Sequence, residues 1–207
     1  NKIMNVILEN YNEWWSKIFD KDTVSNVINL KKKNSLEFED SFYKNLEFGT
    51  GGMRGIMGVG PNRVNKYTFG KTTQGICNFL KKEFKGIKTS VVIGYDCRNN
   101  GKELHDIVSN VFSSNGVTVY CFDSIQPTPL ISFALRELKC NCGVVLTASH
   151  NPPEYNGYKV YWEDGGQIVP PIDKKLISEI DDVKYSNIKF SRNKSLIKVL
   201  DDTVKNA

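Results

Sequence analysis

Three short apolar runs constrain this chain more than any other feature: Thr89–Tyr95 (TSVVIGY), Val117–Phe122 (VTVYCF) and Gly143–Thr147 (GVVLT). Each is short, rich in β-branched residues and free of polar alternation, which marks a strand buried on both faces. Helical spacing fills the gaps. Residues 102–114 carry it up to Asn115-Gly116, and Pro129–Leu138 carries it with proline near its start, where a missing N–H is tolerated. Residues 68–85, with Ile76, Phe79, Leu80 and Phe84 on one face, form another helix halted by Gly86. Strand, helix, strand, helix, strand predicts an α/β fold: a three-layer helix-sheet-helix domain with a mixed, mostly parallel sheet.

The flanks read differently. Residues 2–19 place Ile3, Ile7, Trp14 and Ile18 at helical spacing, and residues 22–33 repeat it with Val24, Val27, Ile28 and Leu30 behind Asp22 as N-cap. Residues 1–44 are therefore expected to form an N-terminal helical arm, with the Trp14-Trp15 pair serving packing. Phe38–Phe48 reads as a connection. The following FGTGGMRGIMGVGPNRVN, at 48–65, is too dense in glycine for a regular element. Beyond the third strand run, Tyr158–Glu163 and Gln167–Val169 flank Asp164-Gly165-Gly166 as a hairpin, and Pro170-Pro171 opens a helix to about Val183. The main domain is expected at 45–184. Residues 184–195 look like a linker, so 185–207 would be that linker and the start of a truncated second domain, its end LIKVLDDTVKNA patterned as a helix.

Composition narrows the function. The net charge of +5 comes from 28 basic and 23 acidic residues spread along 207 positions, and the densest basic run is Lys31-Lys32-Lys33. That argues against nucleic acid as a partner. No stretch reaches the roughly 18 apolar residues of a membrane span, and the first 20 residues lack a cleavage site, so a cytoplasmic protein with no membrane partner is expected. The five cysteines, Cys77, Cys97, Cys121, Cys140 and Cys142, include no Cys-x-x-Cys pair and read as thiols of a reducing compartment, three of them in apolar stretches as small core residues. A chain that opens on Asn1 and stops within a helical pattern is expected to be a piece of something longer.

The densest chemistry lies just after GVVLT, in Thr147-Ala148-Ser149-His150-Asn151-Pro152-Pro153. Ligands of open α/β sheets gather at the carboxyl ends of strands. A serine there, before a proline-rich turn into a helix, has backbone N–H groups that stabilise an anion, and its hydroxyl can carry a phosphoryl group in covalent catalysis. The same residues also suit a serine or threonine cap on the next helix with His150 simply exposed. Gly-x-Ser-x-Gly is absent, which argues against a hydrolase elbow. Asp96 and Arg98 follow another strand end, and their turn could brace the next helix or support the serine loop.

At TASHNPPEYNGYKVYW the sequence resembles the phosphoserine loop of the α-D-phosphohexomutase family, nearest the branch of bacterial phosphoglucomutases and mammalian-type phosphopentomutases. FGTGGMRGIMGVGPNRVN resembles that branch's N-terminal loop, GYDCRNNG its Gly-x-Asp-x-Arg turn, and QPTPL its Pro-Thr-Pro turn; the likeness runs from about Trp14 to the chain end. Gly52-Met53 and Asn99-Asn100 depart from the residues common there. The resemblance implies that Ser149 carries the phosphoryl group and, through it, is one ligand of Mg²⁺. It implies that Arg54 clamps phosphate oxygens and that Lys159 or His150 serves as acid/base, making these four the catalytic set. Phosphate binding would fall to Thr50, Gly51, Gly52, Arg54, Arg98, Asn151 and Lys159, with the glycines letting backbone approach the phosphate. Read from the residues alone, Arg54 also suits a surface arginine and Lys159 a strand-edge lysine.

The family's Asp-Gly-Asp-x-Asp-Arg metal loop and Gly-Glu-x-Ser-Gly sugar loop do not occur in this sequence. The resemblance thus covers the first of four domains. The implied partners are a sugar phosphate, a glucose 1,6-bisphosphate-type activator and domains II–IV of the same polypeptide, and this chain alone is expected to be inactive. The implied reaction is phosphoglucomutase-like, with glucose 1-phosphate preferred to a pentose or mannose phosphate. Two other readings exist: a free-standing sugar-phosphate-binding module, and a phosphatase with an aspartyl nucleophile. The second needs a pair of carboxylates, and Tyr95-Asp96-Cys97-Arg98 supplies one.

Overall fold

The computed structural model describes residues 2–49 and 51–200. In chain order the elements are α1 (Lys2–Trp14), α2 (Lys21–Lys33), α3 (Ser35–Phe42), β1 (Gly52–Ile56), α4 (Lys66–Glu83), β2 (Ser90–Tyr95), α5 (Gly101–Ser114), β3 (Thr118–Cys121), α6 (Thr128–Glu137), β4 (Cys142–Leu146), β5 (Tyr155–Trp162), α7 (Ile172–Asp181) and β6 (Ile197–Val199).

The strands form one six-stranded sheet in the order β1-β5-β4-β2-β3-β6. β2 pairs in parallel with β3 and β4, and β3 with β6, while β5 runs antiparallel to both β1 and β4. Side chains of the central strands alternate between two cores. Val91, Ile93, Val144 and Leu146 face α4, α5 and α7 through Ile76, Phe79, Leu104, Phe112, Leu176 and Ile180. Val92 and Val145 face α6 through Ile131, Ala134 and Leu135. The fold is the expected α/β sandwich, with a helical region before it. β2 leads through α5 to β3 on one side, and β3 returns through α6 to β4 on the other. The connection therefore reverses between β2 and β4, the place where open α/β sheets leave a crevice.

The N-terminal helices bury a third cluster against the sandwich. Ile7, Trp14, Phe19, Val27, Phe38 and Phe42 pack with Tyr67 of α4, Val111 of α5, and Tyr185 and Ile188. Trp14 is fully buried and stacks on Phe19 at 4.5 Å, whereas Trp15 is 59% exposed, so the tryptophan pair is divided between core and solvent.

Several local expectations are corrected. The α2 cap is Asp20, whose side chain accepts the Thr23 N–H; Asp22 lies inside the first turn. The segment expected to connect from Phe38 begins inside α3, because Phe38, Ser41 and Phe42 bury one helical face. The glycine-dense segment contains β1, paired along its length with β5. The expected hairpin is short: after the turn at Gly165, Gln167 meets Tyr161 in one antiparallel bridge and Ile168 N–H reaches the Val160 carbonyl, while the strands paired with β5 are β1 and β4. The 184–195 stretch is packed rather than loose, with Tyr185 and Ile188 buried. The helical pattern after Leu196 opens as β6, paired with β3, and residues 201–207 lie outside the described residues. The cysteines are free thiols; Cys77, Cys121, Cys140 and Cys142 are buried and Cys97 is exposed.

Candidate active site

Ser149 lies on the loop after β4, at the carboxyl end of that strand and beside the crossover reversal. No helix follows it: the chain turns at Pro152 and runs directly into β5. The expected helix N-terminus is therefore not what faces the hydroxyl. Two nearby amides are already used, Ser149 N–H by Thr147 Oγ1 at 2.9 Å and Asn151 N–H by the Ala148 carbonyl at 3.1 Å. The side chain that reaches Oγ directly is a cation.

That cation and a second come from the two antiparallel strands. Lys159 of β5 donates from Nζ to Ser149 Oγ at 3.1 Å. Arg54 of β1 donates from Nη1 to Asn151 Oδ1 at 3.2 Å. The register brings them onto one face: Arg54 stands opposite Gly157, and Lys159 opposite Gly52. Among the described residues neither cation takes part in an ion pair. One cation at the hydroxyl and a second on the same loop, neither in an ion pair, favour an anion there. The planar guanidinium fits two phosphate oxygens at once, and the ammonium acts as a point charge.

Arg98 works on the loop's underside. Its Nη1 donates to the Pro152 and Tyr155 carbonyls at 2.8 and 3.0 Å, and its Nη2 to the Ser149 and Asn151 carbonyls, each at 2.6 Å. It supports the serine loop by hydrogen bonding to backbone, not by an ion pair. The loop needs such support, because Ser149 has φ +54°, in the left-handed region that side chains other than glycine seldom occupy. Gly51 has φ +81°, and at Gly52 a Cβ would lie 2.1 Å from the Tyr158 carbonyl, so the close approach Gly52 permits is to β5. Thr50 lies outside the described residues.

A groove of about 630 Å³ runs past Ser149, His150, Arg54 and Lys159. His150 is exposed at its rim. The groove's other wall comes from residues that sequence reasoning passed over: Asp40 at the end of α3, then Tyr43, Lys44 and Glu47. Sequence held no signal for them, since they reach the groove only through the packing of α3 against the sandwich. Gly157 was also missed, though an isolated glycine inside a strand pattern is a signal of close backbone approach.

Fold and site together define a three-layer α/β domain that presents a strand-end serine to unpaired cations. The chain belongs to the phosphoglucomutase/phosphomannomutase family: residues 45–187 match its alpha/beta/alpha domain I. It is 40% identical to human phosphopentomutase over 160 residues, 74% of this chain and 26% of that protein. It is 37% identical to a Staphylococcus aureus (strain bovine RF122) phosphoglucomutase over 184 residues, 84% of this chain and 33% of the relative. The chain thus spans about a quarter to a third of the length of the curated relatives it matches. A Thermus thermophilus crystal structure described as a phosphomannomutase superposes with a TM-score of 0.66 and 28% identity, over 77% of this chain and 34% of its own. A Paramecium phosphoglucomutase, parafusin, shares the fold, with a TM-score of 0.58 and 18% identity over 76% of this chain and 34% of its own.

Proposed function

We propose that this chain is the nucleophile-bearing first domain, with its helical arm, of a phosphoglucomutase-type enzyme. That enzyme interconverts hexose 1-phosphate and hexose 6-phosphate through phospho-Ser149 and a bisphosphorylated sugar. The observation that carries the reading is the Lys159 Nζ–Ser149 Oγ contact of 3.1 Å in a groove where neither Lys159 nor Arg54 has a carboxylate partner among the described residues.

The chemistry follows from that layout. Phosphoryl transfer leaves the protein mainly positioning and charge stabilisation. The free sugar hydroxyl attacks phosphorus while the bond from phosphorus to Ser149 Oγ breaks. Lys159 then stabilises the departing serine oxygen and supplies a proton to it, while Arg54 releases Asn151 and holds equatorial phosphate oxygens. His150 at the rim takes the proton of the attacking hydroxyl. The reverse step returns the sugar's other phosphoryl group to Ser149. Glucose 1-phosphate is the proposed substrate, with a glucose 1,6-bisphosphate-type activator restoring phosphoserine; a pentose 1-phosphate is the second candidate, on the strength of the phosphopentomutase likeness.

The family implies Mg²⁺. Among the described residues no group of three or more His, Cys, Asp or Glu side chains could hold a metal ion. Mg²⁺ prefers octahedral oxygen coordination, commonly one or two carboxylates with phosphate and water. The residues present do not fit such an ion by themselves. Among the described residues no helix is long and apolar enough to cross a membrane.

The test is Ser149→Ala in the full-length protein. Intact mass spectrometry of the wild type is expected to show one added phosphate that the variant lacks, and kcat is expected to fall by at least about 10³-fold while sugar-phosphate binding persists. A fully active variant would refute the reading.

A further inference from the structure

β2 and β4 run side by side with Tyr95 opposite Leu146. The next residue of each strand turns toward the other. Thr147 Oγ1 donates to Asp96 Oδ2 at 2.5 Å and accepts the Ser149 N–H at 2.9 Å. The second oxygen of Asp96 accepts the Arg98 N–H at 3.1 Å, and the Arg98 guanidinium reaches back to the Ser149 carbonyl at 2.6 Å. The circuit closes on Ser149: its N–H is held through Thr147 and Asp96, and its C=O through Arg98.

The direction of each bond is set by chemistry. An ionised carboxylate only accepts, and a hydroxyl has one proton. That O–H points at Asp96, which accepts it as a hydrogen bond, so the Thr147 oxygen turns a lone pair toward the Ser149 amide. Thr147 is 5% exposed, which keeps water from competing for either bond. Asp96 is also committed at both oxygens, so an amide in its place would turn its NH₂ toward one of two donors, the Thr147 hydroxyl or the Arg98 N–H.

We propose that Asp96 and Thr147 are positioning residues for Ser149: they hold its backbone at φ +54° and so aim Oγ at Lys159. This inference rests on the phosphoserine reading and adds a role to two residues that touch neither phosphate nor sugar in it. Misplacing a reacting group by about 1 Å costs on the order of 10²-fold in rate.

The experiment compares Thr147→Val, which keeps the shape and removes the hydroxyl, with Thr147→Ser, which keeps the hydroxyl, both in the full-length protein. Asp96→Asn is a third variant. Steady-state kinetics with glucose 1-phosphate are read beside hydrogen-exchange mass spectrometry of the Thr147–Tyr155 peptide. In Thr147→Val, kcat is expected to drop on the order of 10²-fold with KM unchanged. The Ser149 amide should exchange about fivefold faster. Thr147→Ser should restore most of both, and Asp96→Asn should fall between. Wild-type kcat and exchange in Thr147→Val, or equal losses in the serine and valine variants, would overturn the proposal. Failure of the phosphoserine reading shows separately, as wild-type protein without phosphate on Ser149. The exchange contrast between the two Thr147 variants then still decides whether the brace exists.

Discussion

Ser149 occupies a backbone conformation that costs an L-residue roughly 1–2 kcal/mol, at φ +54°. Glycine or asparagine would sit there at lower cost, and on the proposed phosphoserine chemistry the hydroxyl is what a serine adds. Gly157 of β5, opposite Arg54 and bonded to Thr147, shows the opposite case. A Cβ on Gly157 would lie 2.5 Å from the Thr147 carbonyl and 2.8 Å from the Met53 carbonyl, both backbone atoms, Met53 held in the β1–β5 ladder and Thr147 tied to Gly157 through its own N–H. Gly157→Ala is therefore expected to destabilise the protein by about 3 kcal/mol, read from urea unfolding. An unchanged midpoint would show that β1 and β5 can shift apart at no cost. At this scale Ser149, Lys159 and Arg54 were legible, since their order along the chain carries the likeness. The tie between Asp96 and Thr147 was not, because its partners are 51 residues apart and nothing local to either announces the other.

The elements reward burial more than propensity. β1 contains Gly52, Gly55 and an exposed arginine, yet it is a strand because β5 offers it a full ladder and Met53 a place in the core. β6 looked helical by spacing, and pairing with β3 decided otherwise. The α2 cap shows a tertiary contact choosing between two nearby aspartates. Asp20 receives the Thr23 N–H at 2.8 Å and the Tyr67 hydroxyl at 2.8 Å, and its own N–H donates to that hydroxyl at 2.7 Å. Partial burial pushes the Asp20 carboxyl up, but the hydrogen bonds from Thr23 and Tyr67 and the charge of Lys66 outweigh it and bring it down to about 2 from an ordinary 3.8. A carboxyl lowered on folding stabilises the fold above its ordinary value, and that contribution is lost as pH falls through the folded one. Asp20→Asn, which can still cap the helix, is expected to flatten the pH dependence of stability between about pH 4 and pH 2, by about 1 kcal/mol after screening at this half-exposed site. Urea unfolding followed by the fluorescence of buried Trp14 measures it; identical pH profiles would remove Asp20 from the account.

At the scale of the molecule, the groove belongs to two parts of the chain. The sandwich contributes Arg54, Ser149, His150 and Lys159, and the helical region ending near Tyr43 contributes the facing wall. Neither part supplies a cluster of metal-binding carboxylates among the described residues. The matching stretch covers only 26% of the human relative and 33% of the staphylococcal one, so most of each lies outside anything this chain supplies. The 207-residue chain assayed alone is accordingly expected to show no turnover of glucose 1-phosphate in a coupled assay for glucose 6-phosphate. Substantial turnover would mean that the groove is complete as it stands.

What the amino-acid sequence determined by itself was local or periodic. Two-sided apolar runs marked β2, β3 and β4, helical spacing marked α4, α5 and α6, and an ordered set of loop motifs placed Ser149 at a strand's carboxyl end. Those signals survive in one dimension because each is written within a few residues. Tertiary structure alone decided where β1 and β6 pair, which aspartate caps α2, that the serine loop enters a strand instead of a helix, and which side chains wall the groove. Each of these depends on hydrogen bonds or buried contacts between residues far apart in the chain, whose energies exist only once the chain has folded.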